Sequence, residues 1–123
     1  IDFGMFLPVQ KAAIAALTGP LDSVKRQCGE YQARRDALCG GLRGIGWNVP
    51  DSHGSMFVWA PLPTGYTDSM AFCLELIDKA GVICTPGFSF GPSGEGYVRF
   101  ALTLPVERIR EAVASIAVSG MIR

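Results

Sequence analysis

Gly94-Glu95-Gly96-Tyr97-Val98-Arg99-Phe100-Ala101-Leu102 sets one arginine in the middle of an apolar run that follows a glycine-rich turn. Read with period two, Val98, Phe100 and Leu102 share one face, and Tyr97, Arg99 and Ala101 share the other. A strand with so apolar a first face packs on a core, and the Arg99 guanidinium then projects from the opposite side. A planar five-donor fork on a rigid strand is suited to gripping a carboxylate with two parallel hydrogen bonds. The blander reading is an arginine that pairs with a neighbouring acid or snorkels to water. On the strand pattern alone that reading is the commoner one.

Working outward, helical composition from Phe6 to Leu17 predicts a first helix, stopped by Thr18-Gly19-Pro20. A second helix is expected from about Asp22 to Arg43. Its stripe Leu21, Val24, Cys28, Tyr31, Arg35, Leu38, Leu42, Ile45 should bury one face along its whole length, with Arg34-Arg35-Asp36 as a surface charge cluster. Trp47-Asn48-Val49 reads as a short strand. Ser55 to Ala60, apolar on both faces, reads as a central buried strand. Thr67 should cap a helix running through Lys79, with Met70, Cys73, Leu74, Ile77 and Ala80 inward and Gly81 as its stop. Val82 to Thr85 is a short strand, Pro86 to Gly94 an irregular loop, and Pro105 opens a last helix with Val106, Ile109, Val113, Ile116 and Ala117 on one face. Helices and strands that mix without strict alternation predict an α+β fold, a small and largely antiparallel sheet with helices packed against it.

The 123 residues are one domain's worth of chain, and 49% hydrophobic with 18% charged is ordinary globular composition. A formal net charge of zero argues against general binding to nucleic acid or to an acidic membrane surface. No apolar run has the length of a bilayer-spanning helix. Cys28, Cys39, Cys73 and Cys84 contain no C-x-x-C pair and read as four buried thiols in a reducing cytoplasm. The opening Ile1-Asp2-Phe3-Gly4, without methionine, reads as the start of a fragment of a longer protein.

Candidate chemistry beyond Arg99 is sparse. The Pro86–Gly96 loop lacks G-x-x-x-x-G-K-[ST] and G-x-G-x-x-G and leads into a strand, the wrong context for a phosphate cradle. His53, the only histidine, stands in a polar turn with no serine or cysteine partner. Ser55 and Ser89 lack a G-x-S-x-G setting. Lys11, Lys25 and Lys79 each fall on an expected helix. No catalytic, cofactor-binding or metal-ligating set is completed by these residues.

A further pattern emerges when the pieces are taken in order: Phe6-Leu7-Pro8-Val9-Gln10, Arg34-Arg35-Asp36, Gly54-Ser55-Met56-Phe57-Val58-Trp59, Gly81-Val82, Pro86-Gly87-x-x-Phe90-Gly91 and Gly94 to Arg99. Together they resemble the C-terminal part of class I/II, fold type I, pyridoxal-phosphate-dependent aminotransferases. The branch most similar holds aspartate, alanine-type and LL-diaminopimelate aminotransferases. The resemblance implies interdomain helices over residues 1–45 and an α+β small domain over 46–123, with the cofactor domain absent.

It further implies that Arg99 binds the substrate's α-carboxylate and that the Gly54–Trp59 strand lies near the substrate. Asp2-Phe3-Gly4 would reach a neighbouring subunit. The parent is then expected to be a cytoplasmic homodimer that moves an amino group between an amino acid and a 2-oxo acid, with pyridoxal 5'-phosphate supplied elsewhere. The isolated chain, lacking the Schiff-base lysine, is expected to be inactive and to bind no cofactor. A fold type I lyase or acyltransferase fragment is the alternative within that resemblance. Outside it, the alternative is a standalone α+β binding or dimerisation module.

Overall fold

The computed structural model describes residues 4–122. The expectation for Asp2 and Phe3 therefore lies outside the described residues. By packing, the chain forms two compact units, Ile1–Glu30 and Tyr31–Arg123.

In the first unit, α1 spans Leu7–Thr18, with Pro8 in the first turn, where its missing N–H is harmless. Thr18 Oγ1 donates to the Ile14 carbonyl, and Gly19 N–H closes the last turn on Ala15 O. None of the described residues up to Glu30 is buried, and Leu7, Val9, Ile14 and Leu17 present apolar side chains to solvent.

The second helix, α2, spans Asp22–Gly44. Only Leu38, Cys39 and Leu42 of it are buried, whereas Leu21 and Val24 are exposed. The stripe expected to bury the whole helix therefore does so only near its C-terminal end. Those three residues enter the core of the second unit, so the division by packing falls at Glu30/Tyr31, while the boundary expected from the sequence stood at 45/46.

The rest of the second unit is built from β1 (Phe57–Pro61), α3 (Ser69–Ala80), β2 (Thr85–Pro86), β3 (Tyr97–Ala101) and α4 (Val106–Val118). The sheet is antiparallel in the order β1-β3-β2. The α+β expectation holds, with three strands in place of four. Trp47-Asn48-Val49 is not a strand. Its backbone is satisfied locally instead: Trp47 N–H donates to Leu42 O, and Arg43 donates to Val49 O at 2.9 Å. The side chains of Trp47 and Val49 are nonetheless buried.

The strand expected at the centre is an edge. β1 pairs only with β3, and the Arg99 strand lies between the other two. β1 is apolar on both sides for two different reasons: Val58 and Ala60 enter the core, while Phe57 and Trp59 build an aromatic outer face. The core gathers Leu38, Leu42, Trp47, Phe72, Leu76, Val98, Phe100 and Ile116 among others. Trp47 meets Phe72 and Phe100 edge-on at 5.4 and 5.7 Å, and its Nε1–H donates to Pro61 O at 2.8 Å, which satisfies its one polar atom.

α3 is rotated from the expected orientation. Ser69, Phe72, Cys73 and Leu76 are buried, whereas Met70, Leu74 and Ile77 are exposed. Two apolar stripes of helical period run side by side on this helix. The fold selects the one carrying Phe72, whose ring meets both Trp47 and Tyr66 edge-on. The cap is Asp68, not Thr67: its Oδ1 accepts from Met70 N and Ala71 N at 2.9 Å each. Gly81 ends the helix at φ +65°, as expected for a left-handed cap.

Cys39, Cys73 and Cys84 are buried, but Cys28 is exposed, so four buried thiols become three. Burial pushes all three buried thiols above their ordinary range. Cys73 Sγ and Cys84 Sγ approach to 3.3 Å, and Cys84 is pushed up first by desolvation and then further by its hydrogen bond to Cys73 and by the charge of that neighbour. No helix among the described residues is long and apolar enough to cross a membrane.

Candidate functional site

β3 carries two faces. Val98, Phe100 and, just beyond the strand, Leu102 point inward and are buried, as the alternation requires. On the outer face Arg99 lies opposite Trp59 of β1 and Thr85 of β2. Directly opposed residues share a face, so the row across the sheet reads Trp59–Arg99–Thr85, with Phe57 and Tyr97 as diagonal neighbours.

The Arg99 guanidinium is half-buried and lies among aromatic rings. Its Cζ is 4.2 Å from the Phe57 ring centroid and 4.4 Å from that of Phe90. Phe90 meets Trp59 edge-on at 5.6 Å, and Trp59 stacks on Tyr97 at 5.6 Å and 19°. A cation over two ring faces gains from both quadrupoles, roughly 0.5–2 kcal/mol each by general experience. Among the described residues no hydrogen bond or ion pair to the Arg99 guanidinium is present, and no buried side-chain nitrogen or oxygen lacks a partner. The N–H fork is therefore open to solvent and accessible to a planar anion.

The segment that delivers Phe90 is two successive 3₁₀ turns, Gly87–Phe90 and Pro92–Gly94, in place of the irregular loop expected there. They are folded back to back. A Cβ on Gly87 would lie 2.0 Å from Gly94 O, and one on Gly94 would lie 2.1 Å from Gly87 O, so only glycine allows the crossing. Glu95 clamps the exit. Its Oε1 accepts from Ser69 N at 2.7 Å and from Gly96 N at 2.9 Å, tying the first turn of α3 to the approach to β3. Hydrogen bonds from the Gly96 backbone first, and then from Ser69, hold this carboxyl below its usual range. Buried Ser69 adds a second tie, its Oγ accepting from Phe88 N at 3.3 Å.

The arginine pair on α2 serves the same architecture. Arg34 donates to Leu102 O at 3.1 Å, and Arg35 donates to Ser52 O at 3.2 Å while pairing with Asp36. These are links from helix to backbone, a more definite task than a surface charge cluster. Leading into β1, Ser55 adopts φ +74°, the one non-glycine residue in the left-handed region among those described. His53 is exposed in its turn.

Sequence reasoning singled out Arg99 and missed its aromatic flanks and the Glu95–Ser69 clamp. Phe57 and Phe90 lie 33 positions apart in the chain, and nothing local announces that β1 pairs with β3 so as to bring both to Arg99. The signal available was the shared outer face of two apolar strands. No group of three or more His, Cys, Asp or Glu residues that could hold a metal ion occurs among the described residues.

Comparison with known proteins shows the family. The family described as aminotransferase class I and II matches residues 4–116. An LL-diaminopimelate aminotransferase of Dehalococcoides mccartyi is 46% identical over 117 residues, covering 95% of this chain and 30% of that protein. One from Moorella thermoacetica is 47% identical over 113 residues, covering 92% of this chain and 29% of its own length. Among solved structures, substrate-bound BacF from Bacillus subtilis aligns with a TM-score of 0.86 at 32% identity, over 95% of this chain and 30% of that one. A probable N-succinyldiaminopimelate aminotransferase from Thermus thermophilus aligns with a TM-score of 0.81 at 33% identity, over 97% and 32%. The chain thus spans about 30% of the length of the curated relatives it matches. The C-terminal placement expected from the sequence is not borne out by these matches and is withdrawn. With the family matched over residues 4–116 of this chain and relatives 46% and 47% identical to it, this chain belongs to the class I and II aminotransferases.

Proposed function

We propose that this chain provides the grip on the substrate α-carboxylate in an aminotransferase that moves an amino group between an amino acid and a 2-oxo acid. The observation that carries the reading is Arg99: a guanidinium on the central strand, flanked by two phenyl rings, with its hydrogen-bonding edge unclaimed among the described residues. A fixed two-pronged cation removes rotational freedom from a bound amino acid, and such orientation lowers the barrier to reaction at Cα. The similarity to LL-diaminopimelate aminotransferases favours amino donors of that class. The same reading extends to a cytoplasmic homodimer.

The whole enzyme's cofactor in this reading is pyridoxal 5'-phosphate, which supplies the electron sink for amino-group chemistry. The described residues do not fit that group on their own. It needs an amine for attachment and converging donors for its phosphate. Lys79 is exposed and paired with Glu75 at 2.6 Å, and Lys11 and Lys25 stand exposed on α1 and α2. The 3₁₀ turns lead into a strand and present no helix N-terminus to a phosphate. We therefore assign this chain the substrate's carboxylate and leave attachment of the cofactor to residues outside it.

The test is steady-state kinetics on a protein of the relatives' length carrying this chain, assayed with pyridoxal phosphate against a panel of amino acids and 2-oxo acids. Arg99→Ala should raise KM for the amino acid by about 10²-fold or more, the scale of a lost charge-assisted bidentate contact. Cofactor absorbance should be unchanged. An unchanged KM would remove Arg99 from the substrate. A wild-type protein that eliminates ammonia or a thiol without transferring an amino group would shift the reading to a lyase.

A further inference from the structure

The assignment of Arg99 to a carboxylate leaves open what fixes the plane of its fork. A guanidinium at the end of a four-bond side chain samples many orientations, and a two-pronged contact requires one of them. The usual device is a carboxylate or carbonyl that holds one edge, and none of the described residues plays that part for Arg99. What the structure places there instead is carbon: the Phe57 ring at 4.2 Å and the Phe90 ring at 4.4 Å from Cζ.

We propose that Phe57 and Phe90 are positioning residues, whose ring faces hold the Arg99 guanidinium plane so that its N–H edge meets a substrate carboxylate in-plane. This rests on the reading of Arg99 as the carboxylate ligand. The two rings come from separate elements, each anchored independently. Phe57 opens β1 and is held by the ladder to Ala101. Phe90 ends the first 3₁₀ turn, is braced edge-on by Trp59, and is set in place by the Gly87–Gly94 crossing and the Ser69 tie to Phe88 N. Rings stabilise a cation without occupying any of its N–H donors, so the fork stays free for the ligand. An acidic partner would satisfy those donors and compete with the substrate. The ring faces also keep water from the faces of the guanidinium, which strengthens the in-plane contact. The arrangement selects a planar guanidinium, so lysine is not an equivalent at position 99.

The test uses the same full-length protein with kinetics, and the 123-residue chain with nuclear magnetic resonance. Phe90→Leu and Phe57→Leu should each raise KM for the amino acid about 5- to 30-fold, with kcat within about threefold, as expected for a lost cation–ring contact. Phe90→Tyr, which keeps the ring face, should restore KM. Phe90→Leu in an Arg99→Ala background should add no further rise, because the ring acts only through the guanidinium. In the chain itself, Arg99 side-chain protons should resonate upfield of a solvated arginine and lose most of that displacement in Phe90→Leu. Because Phe90 is exposed, its substitution leaves the core intact, and the displacement reports on geometry without any activity.

If Arg99→Ala raises KM while neither leucine variant does, the positioning role is overturned and the carboxylate role stands. If Arg99→Ala leaves KM unchanged, the underlying reading fails instead. A fall in kcat at constant KM in the leucine variants would also overturn the proposal, since it places the rings elsewhere in the cycle.

Discussion

The two faces of β3 divide the work of this unit. Inward, Val98 and Phe100 are 0% and 5% exposed and join a continuous core with α2, α3 and α4. Outward, Tyr97 and Arg99 sit beneath no second layer among the described residues of the unit, and their neighbours Trp59 and Phe90 are exposed. Both faces are rich in rings, but they use them differently. The inner rings exclude water to hold the strand. The outer rings leave the edge of a cation accessible while restricting its plane. One face carries stability, so the other is free to carry a polar task.

Substitutions on either side can break that division. The largest effect belongs to Phe100→Ala, which removes a ring in contact with Trp47 and should cost about 3–5 kcal/mol in urea denaturation of the chain. Its outer neighbour Arg99→Ala should change the same measurement by only about 1–2 kcal/mol, the scale of lost contacts to two rings partly open to water. Comparable losses at both positions would mean that the faces are not separable.

Glu95→Gln probes the loop that serves the outer face. Glu95 titrates below its usual range when folded, so its contribution is complete above the unfolded carboxyl value near 4.5. That contribution disappears as pH falls through the lower folded value. Thermal denaturation of the wild type should therefore decline with falling pH below about 4.5 more steeply than that of Glu95→Gln. A residual slope remains from Asp51 and Glu75, held low chiefly by hydrogen bonds from Arg43 and Lys79 respectively. Superimposable pH profiles would show that the clamp carries no linkage.

The smallest effect is Ser55→Gly. A left-handed conformation costs an L-residue about 1–2 kcal/mol, and glycine gives back about 0.5–1 kcal/mol in chain entropy. A net gain of about 0.5 kcal/mol in urea denaturation is expected. A loss would mean that the Ser55 side chain contributes more to the approach to β1 than its backbone costs.

How much of this was legible can be judged on particular residues. The alternation from Tyr97 to Leu102 placed Arg99 opposite a buried face, because strand period is a local property and the contrast between faces is strong. Gly81 was equally legible as a helix stop, since only the backbone conformation at one position was at issue. α3 was not, because two apolar stripes of the same period compete along it. Helical period gives the existence of a face, and only the neighbours of Phe72 choose which face is buried. α2 shows the same limit along its length, since one continuous stripe is exposed at Val24 and buried at Leu42.

At the candidate site, the arginine was legible and its aromatic surroundings were not. Charge in an apolar strand is visible in sequence. The convergence of Phe57 and Phe90 on it depends on strand pairing and on a backbone crossing between Gly87 and Gly94.

The sequence by itself determined the α+β class, the rigid strand and the face from which its arginine projects, because period and punctuation are short-range and add up along the chain. The tertiary structure alone decided that this strand is the central one, which stripe of α3 turns inward, and that two distant phenyl rings meet the guanidinium. Those outcomes follow from which surfaces can be covered at once, and that is settled only when all the elements compete for the same core.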